Sequence, residues 1–243
     1  MLRIDARDPF PAMHEIVAPA TVGKARVYHL RITEEFSYKS MIKAIVTQSD
    51  EFCTPRTVTI LKIGRKVMMS DADMERRSNL LAYAQARGDV LIGGLGIGML
   101  PVALCSRPGV RSITVIEKNP DVYAAVMPSL AKYFAKVSSQ VRVRVCLGDV
   151  FTWQPSDCAQ IVEAPPLPAT FDMIYMDIWP ERSPNNLIQM EHLHGRYAPL
   201  LNLGGWFGVW YGPELYAAMN ARGRERFGAA LGVKGLGALV EGL

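Results

Sequence analysis

The sequence has few cysteines, no long apolar run and little excess of charge. Its four cysteines among 243 residues, Cys53, Cys105, Cys146 and Cys158, include no C-x-x-C pair. This scatter predicts reduced thiols rather than a disulfide framework or a zinc site. No apolar stretch approaches the ~20 residues of a membrane helix, and no secretory signal is visible. We therefore expect a cytoplasmic protein without a membrane partner.

The charge balance argues against nucleic acid as the partner. The 27 basic and 23 acidic residues leave a net charge of +4, without the clustered basic face that nucleic acid requires. His192 and His194 are two positions apart on a predicted helix, so they face different directions and form no metal site. We therefore expect a small-molecule substrate rather than nucleic acid, and no bound metal.

The chain divides into two patterns, residues 1–87 and residues 88–243. The first predicts a strand at Lys24–Ile32 and a β-hairpin formed by Thr57–Leu61 and Lys66–Met69. A lead-in helix is predicted to follow at about 72–87. This N-terminal β region is also the candidate for a homodimer contact. In the second pattern five apolar strands alternate with helices, at 89–92, 112–116, 141–146, 172–176 and 206–210. The alternation predicts an α/β fold with a doubly wound, mostly parallel sheet.

A glycine-rich turn follows the first strand of the predicted parallel sheet. Residues 93–98 read Gly-Gly-Leu-Gly-Ile-Gly, and glycines allow a sharp turn and a close approach of a ligand to the backbone. We therefore select Gly94, Gly96 and Gly98 as ligand-binding residues. Met99 stands where the dinucleotide pattern Gly-x-Gly-x-x-Gly needs its last glycine, which argues against an NAD oxidoreductase.

Carboxylates follow the next two strands, at the edge where doubly wound sheets bind their ligands. Glu117, 19 residues after Gly98 and next to Lys118, is suited to accept hydrogen bonds from ribose hydroxyls. Asp149 is suited to accept one from an exocyclic amine such as adenine N6, while Val150 or Phe151 packs on the base. Each acid also has a purely structural interpretation, as a helix cap or a turn residue.

The fourth strand ends at Asp177, which emerges from a buried apolar run. A carboxylate at this position is suited to hold a substrate amine or to act as the catalytic base. Trp179 is a candidate aromatic wall of the substrate pocket, with plain packing as the alternative. Tyr175 and Asp71 complete the predicted substrate pocket.

In this order, the motifs of residues 89–210 resemble those of the class I S-adenosylmethionine-dependent methyltransferases. Gly94–Gly98 is similar to the end of that family's first motif, and Glu117 to its ribose-binding acid. Asp149 is similar to its adenine-binding acid, and Asp177 to the acid that ends its fourth strand. The resemblance implies a Rossmann-like fold and S-adenosylmethionine as the cofactor.

Within this class the chain is most similar to the spermidine synthases, which use decarboxylated S-adenosylmethionine. Ile92 and the hairpin region 64–71 carry that similarity. However, Ile97 replaces the acid of their Gly-Gly-Gly-Asp-Gly-Gly loop, and their second acid after Asp177 is missing, with Glu181 as a candidate substitute. Because a polyamine needs several carboxylates, we predict methyl transfer to an unidentified small molecule. Aminopropyl transfer and a non-catalytic adenosyl-ligand-binding or interaction domain are the alternatives.

Overall fold

The N-terminal part of the chain forms a four-stranded antiparallel sheet in sequential order. A computed structural model of the protein describes residues 8–47, 52, 54–137, 141–158, 167–181 and 183–211. The strands are β1 (Ala20–Val22), β2 (Ala25–Ile32), β3 (Arg56–Ile63) and β4 (Lys66–Ser70). The predicted hairpin is present as β3 and β4, and its turn contains Gly64 with a φ of +59°.

Two elements of this region, a strand and a helix, were not predicted from the sequence. One is strand β1, which is only three residues long and pairs with β2. The other is helix α1 (Glu34–Thr47), which begins in a segment that looks like a local turn. Its Phe36 and Tyr38 are exposed whereas Ser37 is buried. An apolar stripe with helical period, the strongest sequence signal of a helix, is therefore missing at its start.

The second sheet has five parallel strands in the order β7-β6-β5-β8-β9. Its strands are β5 (Gly88–Gly93), β6 (Val110–Glu117), β7 (Arg142–Leu147), β8 (Phe171–Met176) and β9 (Leu201–Val209). The helices are α2 (Asp73–Gln85), α3 (Met99–Leu104), α4 (Pro120–Val137) and α5 (Pro184–Tyr197). All five predicted strands are confirmed, and the fold is a Rossmann-like α/β fold. The strand order reverses between β5 and β8, which is where such sheets bind ligands.

The two sheets share one hydrophobic core, and this fixes the N-terminal sheet over the parallel one. Val27 and Leu61 of the antiparallel sheet belong to the same buried cluster as Val90 and Ile92 of β5. At the edge of this contact the Asp121 carboxylate, at the start of α4, accepts a hydrogen bond of 2.8 Å from the Lys24 backbone N–H. The predicted second region extends to residue 243, and its part beyond residue 211 lies outside the described residues.

The cysteines differ from the sequence-based prediction. Cys146 and Cys158 are joined in a disulfide with their Cα atoms 5.9 Å apart, so the prediction of free thiols is wrong for this pair. The pairing depends on the path of the chain after β7, which residue spacing alone does not reveal. Cys105 is a buried free thiol, and Cys53 lies outside the described residues. Over the part of the chain that is described, no helix has the length and apolarity to cross a membrane.

Candidate functional site

A cavity of about 700 Å³ lies at the carboxyl ends of the parallel strands. Its volume falls in the range of ~300–1,000 Å³ typical of small-molecule sites. One side, here called the strand-end side, is lined by Gly94, Gly96, Glu117, Lys118, Asp149 and Val150. The other, here called the hairpin side, is lined by Leu61, Ile63, Met68, Met69, Trp179 and Pro180. Asp177 also lines the cavity, so the three acids predicted to follow strands converge on it.

The glycine turn after β5 brings the backbone close to two other parts of the cavity wall. Gly94 and Gly96 have φ values of +95° and +54°, a region that L side chains rarely adopt. A Cβ atom on Gly94 would collide with the backbone oxygen of Asp177, and one on Gly96 would collide with the sulfur of Met69. Glycine is favoured at both positions by the backbone conformation, and at Gly94 by the closeness of the Asp177 backbone as well. Both glycines line the cavity and present only main-chain atoms to it.

The Glu117 carboxylate at the end of β6 is held by the surrounding backbone. Its Oε2 accepts a hydrogen bond of 2.9 Å from the Leu95 N–H, and its Oε1 accepts one of 2.7 Å from the Asn119 N–H. Burial raises the pKa of Glu117, although the backbone hydrogen bonds act in the opposite direction. The backbone N–H groups of Lys118 and Gly96 also interact with this carboxylate. The backbone thus orients the group at the wall of the cavity.

Asp149, after β7, is held ionised by its neighbours. Lys118 Nζ lies 2.8 Å from Asp149 Oδ2, and the Phe151 N–H donates to Oδ1 at 3.0 Å. Partial burial acts to raise its pKa, but these two hydrogen bonds leave the pKa below its ordinary value. The Lys118 side chain is 72% exposed, so it is able to move away when another donor approaches Asp149.

Asp177, after β8, lies where the two sides of the cavity meet. It is partly accessible, but its removal from bulk water raises the pKa to about 7, although a hydrogen bond from Asn79 acts in the opposite direction. Asn79 is fully buried on α2, and its Nδ2 also donates to the Glu75 carbonyl oxygen at 3.0 Å. A carboxyl with a pKa near neutrality exchanges a proton readily at pH 7, which suits a general base.

Three residues selected from the sequence do not line the cavity. Gly98 precedes α3 and packs against Leu130. Tyr175 is buried within β8 and stacks on Trp206. Asp71 is 1% exposed, and its carboxylate accepts hydrogen bonds from the backbone N–H groups of residues 13 and 59. These three residues pack within the fold or hold the N-terminal segment in place, and they do not reach the cavity in the ligand-binding positions predicted for them.

Other lining residues were not found from the sequence. Glu75, in the first turn of α2, has the position of an ordinary helix-start acid but lines the cavity. Lys24 and the apolar hairpin side chains line it because the antiparallel sheet packs over the parallel one. No local pattern signals that packing. Gln189 of α5 also lines the cavity, and its Oε1 accepts a hydrogen bond of 2.5 Å from Trp179 Nε1, which fixes the indole ring.

The candidate substitute acid, Glu181, is engaged elsewhere. Its carboxylate pairs with Lys66 Nζ at 2.8 Å, and both side chains are exposed. This ion pair joins the start of β4 to the segment between β8 and α5. Glu181 is not among the residues that line the cavity. Among the described residues, no group of three or more His, Cys, Asp or Glu side chains has an arrangement suited to a metal ion.

Solved structures similar to the chain include methyltransferases and a spermidine synthase. The glycopeptide N-methyltransferase MtfA with sinefungin is 21% identical over 54% of this chain and 47% of its own, with a TM-score of 0.38. Spermidine synthase from Thermotoga maritima is 15% identical over 62% of this chain and 48% of its own, with a TM-score of 0.45. The precorrin-6y C5,15-methyltransferase from Geobacter metallireducens is 17% identical over 56% of this chain and 61% of its own, with a TM-score of 0.37.

The match to the first two of these structures spans about half of each solved chain. At such identities and TM-scores the likeness says nothing about what this chain binds or catalyses. No protein-family model matches the sequence, and no curated protein sequence matches it.

Proposed function

We propose that the chain is an S-adenosylmethionine-dependent methyltransferase that acts on a small-molecule acceptor. The observation that carries this proposal is the convergence of Glu117, Asp149 and Asp177, with the glycine turn, on one cavity. Each of the three acids lies at or just after the carboxyl end of a different strand of the parallel sheet. Such a ring of acceptors at the point of strand reversal suits an adenosine group.

On the strand-end side, each residue has a distinct part in holding the ligand. Glu117, oriented by backbone N–H groups, accepts hydrogen bonds from the two ribose hydroxyls. Asp149 accepts from the adenine amino group, and Val150 and Phe151 pack on the ring. Gly94 and Gly96 line the cavity without a side chain, so the ligand is able to contact the main chain there.

Asp177 performs the proton transfer. S-Adenosylmethionine, when bound, supplies an electrophilic methyl group that needs little further activation. An acceptor nitrogen uses its lone pair to form the new bond to carbon, and the carbon–sulfur bond breaks with its electron pair left on sulfur. Before this step the Asp177 carboxylate takes a proton from the bound acceptor ammonium and so frees that lone pair, and its pKa of about 7 lets it hold the proton near neutral pH.

Aminopropyl transfer is the second candidate. Two carboxylates, Glu75 and Asp177, line the cavity, and this charge suits a cationic amine acceptor. The cosubstrate would then be decarboxylated S-adenosylmethionine. The third candidate is a non-catalytic domain that binds an adenosyl ligand without transferring any group.

Calorimetry with S-adenosylmethionine and its decarboxylated form tests the proposal. We expect S-adenosylmethionine to bind at least tenfold more tightly, a difference of about 1.4 kcal/mol. The Glu117→Gln variant is expected to lose about 1–3 kcal/mol of affinity, because one buried acceptor is removed from the ribose site. Glu34→Gln, an exposed acid on α1, is the control and leaves affinity unchanged.

The outcomes separate the three candidate functions. Tighter binding of the decarboxylated form would support aminopropyl transfer instead. Binding of either ligand without any transfer to a panel of acceptors would support the non-catalytic domain. The absence of binding by both ligands at high micromolar concentration would reject the adenosyl site altogether.

A further inference from the structure

The hairpin side of the cavity is an apolar chamber. Leu61, Ile63, Met68 and Met69 reach it from β3 and β4, and Trp179 and Pro180 reach it from the segment after β8. Methionine side chains are flexible and polarizable, so they adapt to irregular apolar ligands. The Trp179 ring is held by its hydrogen bond to Gln189. This lining favours a ligand with an apolar body.

The lining of the cavity carries more carboxylates than lysines. Its acids are Glu75, Glu117, Asp121, Asp149 and Asp177, and its cations are Lys24 and Lys118. Lys118 pairs with Asp149, and Lys24 lies beside the hairpin turn, where its carbonyl oxygen accepts a hydrogen bond from the Gly64 N–H. The excess of negative charge favours a cationic group on the ligand.

We propose that the acceptor is an apolar monoamine, such as an aryl-alkyl amine, with its amino group between Glu75 and Asp177 and its apolar body beneath the β3–β4 hairpin. This inference rests on the proposed function, because it assigns the acceptor of the same site. It also selects against a polyamine. The far end of a polyamine would place a second ammonium against methionine and leucine side chains, and Glu181, paired with Lys66 outside the lining, is not there to receive it.

Calorimetric titration with three probes tests this inference at pH 8. The probes are 2-phenylethylamine, its uncharged analogue 2-phenylethanol, and the diamine putrescine, each without and with saturating S-adenosylhomocysteine. We expect 2-phenylethylamine to bind at least tenfold more tightly than either of the others. The charge accounts for the preference over the alcohol, and the apolar chamber accounts for the preference over the diamine.

Two variants locate the contacts. Glu75→Gln is expected to weaken 2-phenylethylamine binding at least fivefold and to leave S-adenosylhomocysteine affinity within twofold. Met68→Gln, which places an amide in the apolar lining, is expected to weaken 2-phenylethylamine but not putrescine. Thermal melting of both variants shows whether they fold, and Glu34→Gln on α1 serves as the unchanged reference.

Each result decides one proposal. Putrescine or 2-phenylethanol binding as tightly as 2-phenylethylamine would overturn the monoamine inference, as would the failure of all three probes at millimolar concentration. An unchanged affinity of both variants would also overturn it. A failure of S-adenosylhomocysteine to bind, with the amine preference intact, would instead reject the proposed function and leave the amine site standing.

Discussion

The two sides of the cavity differ in how the chain builds them. The strand-end side consists of residues at or just after the carboxyl ends of β5, β6 and β7 in one parallel sheet, so their convergence follows from the alternation of strands and helices. The hairpin side forms where a separate antiparallel sheet packs over the first. The first side is thus specified locally along the chain, and the second is specified by tertiary packing. We expect mutations to separate cofactor-binding effects from acceptor-binding effects accordingly.

The largest expected effect comes from Gly94→Ala. The φ of +95° at Gly94 is strained for alanine, and its Cβ would collide with the Asp177 backbone oxygen, which has no freedom to rotate away. We expect a loss of about 3 kcal/mol or more in the free energy of unfolding. Urea denaturation measures this loss, and calorimetry measures the accompanying loss of adenosyl-ligand affinity.

Gly109→Ala is the matched control. Gly109 has a similar φ of +86°, but nothing lies within 4 Å of a Cβ placed there. The Gly109→Ala substitution should lower the free energy of unfolding only by the backbone strain, about 1 kcal/mol. Equal losses for the two variants would show that the close approach of the glycine turn to β8 is not what constrains the strand-end side.

The next largest effect is the loss of folding stability that the ionisation of Asp177 causes as the pH rises. Its pKa in the folded protein, about 7, lies above the ordinary value of 3.8, so the folded state binds the proton more tightly than the unfolded state. The resulting cost is absent below pH ~4, grows as the pH rises to about 7, and stays constant above that. Asp177→Asn cannot ionise. We expect its stability gain over the native chain to grow by about 3 kcal/mol between pH 4.5 and pH 8.

Asp149→Asn distinguishes this effect from a general charge effect. Because the pKa of Asp149 is lowered by folding, its contribution to stability is lost only as the pH falls through that lowered value. The stability difference for Asp149→Asn should therefore stay constant between pH 4.5 and pH 8. A flat profile for both variants in denaturation experiments would contradict the raised pKa of Asp177 in the folded protein.

The same contrast explains what the sequence could and could not reveal. The five parallel strands and the positions of the acids 117, 149 and 177 were predictable, because each acid lies at or just after the end of an apolar strand. Asp71 was misassigned, since nothing in its neighbourhood shows that its carboxylate caps backbone N–H groups of residues 13 and 59. Glu75 was missed because a helix-start acid is usually solvated, and only the packing of α2 against the cavity shows its position.

A smaller effect is expected from Asn79, which positions Asp177 from behind. The Asn79 hydrogen bond acts to lower the pKa of Asp177, so Asn79→Leu should raise it. If Asp177 is the base, the pH at which methyl transfer reaches half its maximum should move up by about half a pH unit. The rate at pH 9, where Asp177 is ionised in both proteins, should change less than the rate at pH 6.

Ser78→Ala is the control for that measurement. Ser78 Oγ donates to the same Glu75 carbonyl oxygen at 2.9 Å, and no hydrogen bond from Ser78 to Asp177 is seen in the described part of the chain. Its pH profile should match that of the native chain. An identical profile for Asn79→Leu, with folding verified by melting, would remove Asn79 from the control of the proton transfer.

The smallest expected effect is the contribution of the exposed Lys66–Glu181 ion pair to holding the β3–β4 hairpin in place. The Lys66–Glu181 pair at 2.8 Å links β4 to the segment after β8, but the two side chains are 47% and 69% exposed. Exposed pairs contribute about 0.2–1 kcal/mol and are screened by salt. A double-mutant cycle of Lys66→Ala and Glu181→Ala should give a coupling energy in this range, which falls at 0.5 M salt. A coupling well above 1 kcal/mol would mean that the ion pair holds the hairpin in place, whereas we expect the shared hydrophobic core to do so.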